Sequence, residues 1–131
     1  MSSPTGTTRH ILAINDDAAI LQLYDDILSE AGYRVTLDTF ERKTSDLLGL
    51  VRDLQPDLVL MDFVIGGELK GWSLLQACKM DRATSKIAIV ICTGAVRQVA
   101  ELSASLFTHG VQVVIKPFDI DELLLAIESA L

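Results

Sequence analysis

Polar residues stand immediately after four apolar runs: Asn15-Asp16-Asp17 after "ILAI", Asp62 after "DLVLM", Thr93-Gly94 after "IAIVIC" and Lys116-Pro117 after "VQVVI". Carboxylates delivered from two strand ends into one crevice repel each other unless a cation lies between them. All-oxygen ligands with only one or two carboxylates suit Mg²⁺, which keeps several waters and usually takes its other ligands from phosphate oxygens. Asp16 and Asp62 are the carboxylates for such a site. Lys116 and Thr93, arriving opposite the metal, would supply charge and a hydrogen bond to the oxygens of a transferring phosphoryl group. An aspartate can itself be the nucleophile, forming an aspartyl phosphate.

That chemistry requires elements that bring the four places together. After a Ser, Thr, Pro and Gly-rich stretch over residues 1–9, read as a mobile tail, β-branched runs alternate with segments of helical period. Ile20, Tyr24, Ile27, Leu28 and Ala31 mark the first helix, with Asp17 as its N-cap and Gly32 as its stop. "RVTLDTF" (34–40) alternates like a half-exposed edge strand, and Leu47, Leu48, Val51 and Leu54 mark a second helix. The runs at 57–61, 87–92 and 111–115 read as buried strands, followed by helices near 71–81, 96–107 and 119–130. Five βα units with right-handed crossovers predict a doubly wound, three-layer α/β/α sandwich around a parallel sheet. A barrel would need eight. In such a sheet ligands collect outside the carboxyl ends of the strands, where the four polar groups stand.

Composition narrows the function further. The chain has 131 residues, about one domain, and 50% are hydrophobic but only 5% aromatic, so Leu, Ile, Val and Ala build the core. A net charge of −7 opposes direct binding to nucleic acid or to an anionic membrane surface. No apolar run approaches the ~20 residues that span a bilayer, and "MSSPTGTTRH" lacks a signal-peptide core, so the cytoplasm is the expected location. Cys78 and Cys92 have no metal-ligand spacing and read as reduced, packed thiols.

Taken in order, "ILAINDDAAI", "PDLVLMD", "VICTGA" and "VVIKPF" resemble the receiver domain of two-component response regulators, of the single-domain type, over roughly residues 10 to 131. The resemblance implies a flavodoxin-like sheet of strand order 2-1-3-4-5. It implies that Asp62 accepts phosphate from a histidine kinase or phosphotransfer protein, and that Thr93 and Lys116 contact the phosphoryl group. The metal, Mg²⁺ or Mn²⁺, would be held by Asp16, Asp62 and the backbone carbonyl of Val64. The Lys116-Pro117 bond would be cis. A downstream protein would read the changed surface, and the chain's own chemistry would be limited to self-phosphorylation and self-dephosphorylation. The buried third strand then holds a nucleophilic carboxylate rigidly at the sheet's rim, and Gly66-Gly67 lets the backbone turn away.

The sequence departs from that family in several places. The first acidic position after strand one is Asn15, which orients a metal-bound water but adds no charge, so metal affinity should be weakened. "DFVIGGELKG" lacks the usual Met-Pro pair and reaches Gly71 one residue late. Val113 stands at the switch position where a Tyr or Phe usually swings, so the aromatic relay is lost. Val64 and Ala95 offer no group to position water on an aspartyl phosphate, which implies a long-lived phosphorylated state.

Plainer readings stand beside these. Asp16 and Asp17 could merely cap a helix, Thr93 could be a turn residue and Lys116 a surface charge. Asp57 reads as a strand-entry acid, His10 and His109 as solvated loop residues, and Trp72 as packing. The competing function is a degenerate receiver that docks on partners whatever its phosphorylation. A metal-dependent phosphatase would need an acid where Val64 stands, and the acidic "NDDAA" would repel the phosphate of a flavin. The face formed by helices four and five leaves a homodimer open. The chain starts at Met1 and stops after helix five, and is expected to act alone or as the front of a longer protein.

Overall fold

The computed structural model describes residues 8–39, 41, 43–62, 70–94, 96–117 and 119–131. The elements alternate: β1 (His10–Ile14), α1 (Ala18–Glu30), β2 (Arg34–Asp38), α2 (Thr44–Leu54), β3 (Leu58–Met61), α3 (Lys70–Met80), β4 (Ala88–Thr93), α4 (Val96–Thr108), β5 (Gln112–Ile115) and α5 (Ile120–Ala130). The strands form one parallel five-stranded sheet in the order β2-β1-β3-β4-β5.

Strand alternation assigns the helices to faces. Leu12, Ile14, Val59, Met61, Ile89 and Ile91 point to one side, where they pack with residues of α2, α3 and α4. Ile11, Ala13, Leu58, Leu60, Val90 and Cys92 point to the other, against Leu21, Tyr24 and Leu28 of α1 and Leu123 and Ile127 of α5. Both faces of the central strands are therefore dry, which explains their unbroken apolar sequence. Cys78 and Cys92 are buried free thiols, and Trp72 is half-buried against the first of these clusters.

Helix ends follow sequence chemistry. Asp17 is the N-cap of α1, accepting the amide of Ala19 at 2.8 Å. At the other end Gly32 has φ of 97°, its N–H reaches Ser29 O and the Tyr33 N–H reaches Leu28 O, the paired bonds of a Schellman motif. The same motif closes α4, with Gly110 at φ 68° and bonds from Gly110 to Phe107 and from Val111 to Leu106.

Two expectations need correction. His10 is the first residue of β1, only 6% exposed, where its Nε2 lies 2.7 Å from Thr36 Oγ1 and its Nδ1 3.2 Å from the Arg34 guanidinium; it is not a solvated loop residue. Its backbone N–H donates to Asp57 at 2.7 Å, so the strand-entry acid also ties β1 to β3. The second correction concerns β5, a sheet edge on which only Val114 is buried, because no strand among the described residues covers its outer side. β2 is the half-exposed edge expected, ending at Asp38; Phe40 lies outside the described residues. His109 is exposed in the turn after α4.

Candidate functional site

The register of the sheet decides what meets at its carboxyl edge. Ile14 of β1 is opposite Met61 of β3, so Asn15 and Asp62 leave the sheet as neighbours. On the far side Thr93 of β4 is opposite Ile115 of β5, and the Lys116 N–H donates to the Thr93 carbonyl at 2.9 Å. With β4 between β3 and β5, Thr93 comes between Asp62 and Lys116.

Lys116 reaches across that gap. Its Nζ donates to Asp62 Oδ2 at 3.1 Å, with the two side chains 29% and 16% exposed. The pair is largely shielded from water, and its consequence is positional. It holds the carboxylate against a cation at the sheet's rim. Thr93 is buried at the end of β4. The Lys116–Pro117 bond is cis, as the resemblance implied.

The three polar residues after β1 divide their tasks. The buried Asn15 accepts the Asp17 N–H on Oδ1 at 2.9 Å and donates its own N–H to Asp38 O, which shapes the turn. Asp17 caps α1. Asp16 is exposed and takes no part in either contact, so the capping reading fits Asp17 alone.

The donor set suits a hard cation. Asp16 and Asp62 present carboxylate oxygens from adjacent strand ends, the chemistry that Mg²⁺ takes. Among the described residues no three His, Cys, Asp or Glu side chains gather closely enough to hold a metal by themselves. Remaining ligands must come from water, phosphate oxygens or groups outside the described residues. Val64, whose carbonyl the resemblance assigns to the metal, lies there, as do Gly66, Gly67 and Ala95. Val113 is half-buried on β5 and packs against the core.

Sequence reasoning treated Tyr24 only as a core position of α1. Its hydroxyl is the buried side-chain oxygen or nitrogen left without a hydrogen-bond partner among the described residues. Burial pushes its ionisation far upward, and the neighbouring Cys92 and Asp62 add to the effect. The phenol is therefore held neutral. Its signal in sequence was a polar aromatic within an otherwise aliphatic stripe. Next to it, Ile20, Leu23, Ile27, Pro117 and Ile120 line an apolar groove of about 280 Å³ that opens beside Lys116.

Comparison with known proteins agrees with this geometry. The model of the response regulator receiver domain matches residues 11–128. The DNA-binding response regulators MtrA of Mycobacterium tuberculosis and Mycobacterium leprae are 28% identical over 123 residues, which cover 94% of this chain. The chain spans about half the length of these relatives, 50% and 51% respectively. Among solved structures, the chemotaxis response regulator CheY4 of Vibrio cholerae superposes with a TM-score of 0.77 at 21% identity, covering 95% of this chain and 100% of that one. A CheY-like receiver domain protein from Methanospirillum hungatei gives 0.78 at 24% identity, over 94% and 93% of the two chains. At such identities these two establish the fold alone. The family match over most of the chain adds the rest: this protein belongs to the response regulator receiver domains.

Proposed function

We propose that the chain is a phosphoacceptor switch: Asp62 takes a phosphoryl group from a histidine kinase or phosphotransfer protein in a Mg²⁺-dependent reaction. The observation that carries this reading is the Lys116 Nζ to Asp62 Oδ2 contact of 3.1 Å at the carboxyl edge of the sheet. An Asp62 oxygen forms the new P–O bond while the donor's P–N bond breaks and its imidazole leaves. Asp62 is held at the end of a buried strand, which fixes its approach. Lys116 offsets charge on the phosphoryl oxygens, and the Thr93 hydroxyl donates to one of them. Asp16 and Asp62, with the Val64 carbonyl that the family resemblance implies, would hold the metal, and Asn15 would act on it only through water. When bound, Mg²⁺ neutralises charge between carboxylate and phosphate.

The apolar groove between α1 and the start of α5 supports docking of the phosphodonor protein next to Lys116. The chain's own chemistry is self-phosphorylation and self-dephosphorylation, and the valine and alanine at positions 64 and 95 favour a slow loss of phosphate. A downstream protein reads the altered surface. Incubation with acetyl phosphate and Mg²⁺ followed by intact-mass measurement tests the proposal. One phosphoryl adduct should appear on the wild type and none on Asp62→Asn.

A second reading has its own observation. The Asn15 carbonyl oxygen already accepts the Asp17 amide, and Asn15 brings no charge to the metal site. This favours a degenerate receiver that binds partners without phosphate. Retention of partner binding by Asp62→Asn, with no adduct on the wild type, would select it.

A further inference from the structure

At the opposite end of the sheet the chain reverses its overall charge. The sequence carries 18 acidic against 11 basic residues, yet the cavity beside the start of β3 is lined by three cationic side chains, Arg9, Arg82 and Lys86, against the side-chain carboxylate of Asp57 and the α-carboxylate of Leu131, the last residue of this sequence. Its volume is about 460 Å³, and Pro56, Ile87 and Ala88 form an apolar part of its wall. Asp57 is already answered: it accepts the His10 amide at 2.7 Å and lies 3.9 Å from Arg9.

The segment that supplies Arg82 and Lys86 is held in place by groups other than those two side chains. Thr84 is fully buried and its hydroxyl donates to Cys78 O at 2.7 Å. Asp81 accepts the Ala83 amide at 2.8 Å and pairs with Arg52. Lys79 Nζ donates to the carbonyls of Ser85 and Ile87, and Gln55 donates to Ala83 O at 3.0 Å. Among the described residues neither Arg82 nor Lys86 pairs with a carboxylate. The turn is fixed through its backbone and buried Thr84, and it presents to the cavity two cations without a carboxylate partner, which a phosphate can take together.

We propose that this cavity binds a phosphate-bearing small molecule, with Arg82 and Lys86 on the phosphate and the Pro56, Ile87 and Ala88 wall against its uncharged body. An acidic chain repels anions in general, so such a ligand must be gathered by local cations and shape. The site is separate from the phosphoacceptor: Asp57 precedes β3 and Asp62 follows it, so the strand's full length lies between them.

Calorimetric titration with ADP and with inorganic pyrophosphate, in buffer free of divalent cations, tests the assignment on the whole chain. The two probes distinguish a ligand with an organic body from phosphate alone, and saturable 1:1 binding of either supports the site. Arg82→Gln/Lys86→Gln should weaken it by about tenfold or more. A substitution outside the cavity, Arg97→Gln, should leave it unchanged. Both positions of the double variant are exposed, so an unaltered melting curve confirms its fold. The proposal is overturned if neither probe binds, if the double variant binds as the wild type does, or if Arg97→Gln weakens binding equally. Loss of binding in Lys116→Ala would also overturn it, placing the anion at the carboxyl edge of the sheet instead.

Discussion

Lys116 and Asp62 come from strands separated by β4, and the contact between them is the most specific feature of the carboxyl edge. Lys116→Ala removes the cation beside Asp62, which the proposed function sets against the transferring group. Labelling by acetyl phosphate should slow by about a hundredfold, read as initial rate of adduct formation. His10 supports a prediction of a different kind. Burial, and secondarily the Arg34 guanidinium, hold its pKa below the ordinary value, although Asp57 acts in the other direction. The folded protein therefore favours neutral His10, and its contribution to stability is present above the unfolded pKa of about 6.5 and lost as pH falls through the lower folded value. Urea titrations across that window should show a decline in wild type that is smaller in His10→Gln. An equal decline in both would assign the pH dependence to other groups.

The elements were legible where chemistry is local. Asp17 and Gly32 bracket α1 because a side-chain oxygen and a left-handed backbone are needed at those two points, and both needs show in residue type. Asp17→Ala should cost about 1 kcal/mol, a drop in melting temperature of about 4 °C. What stayed hidden was set by neighbours far away in sequence. His10 reads as the end of a polar tail until β2 and β3 bury it, and β5 reads as buried because "VQVVI" carries no mark of lying at the sheet's rim. Asp62 and Lys116 were legible as polar residues ending apolar runs, whereas the buried phenol of Tyr24 was hidden in a helical stripe that any large side chain would continue.

For the molecule as a whole, the parallel sheet gathers all its strand ends at one edge, so residues from four segments come together there. No helix among the described residues is long and apolar enough to cross a membrane. A ligand that binds only the folded site stabilises the whole chain. Beryllofluoride with Mg²⁺, at a hundredfold excess over its Kd, should add about 2.7 kcal/mol of stability to the wild type and nothing to Asp62→Asn. Thermal melts of the two proteins with and without the additive make the comparison. The central claim is covalent, however, and borohydride reduction of the phosphorylated protein reads it at one residue, because an aspartyl phosphate is reduced to homoserine. Peptide mass spectrometry after acetyl phosphate, Mg²⁺ and borohydride should find homoserine at position 62 and aspartate at positions 16, 17 and 57. Unmodified aspartate at 62, or homoserine at another position, would contradict the account.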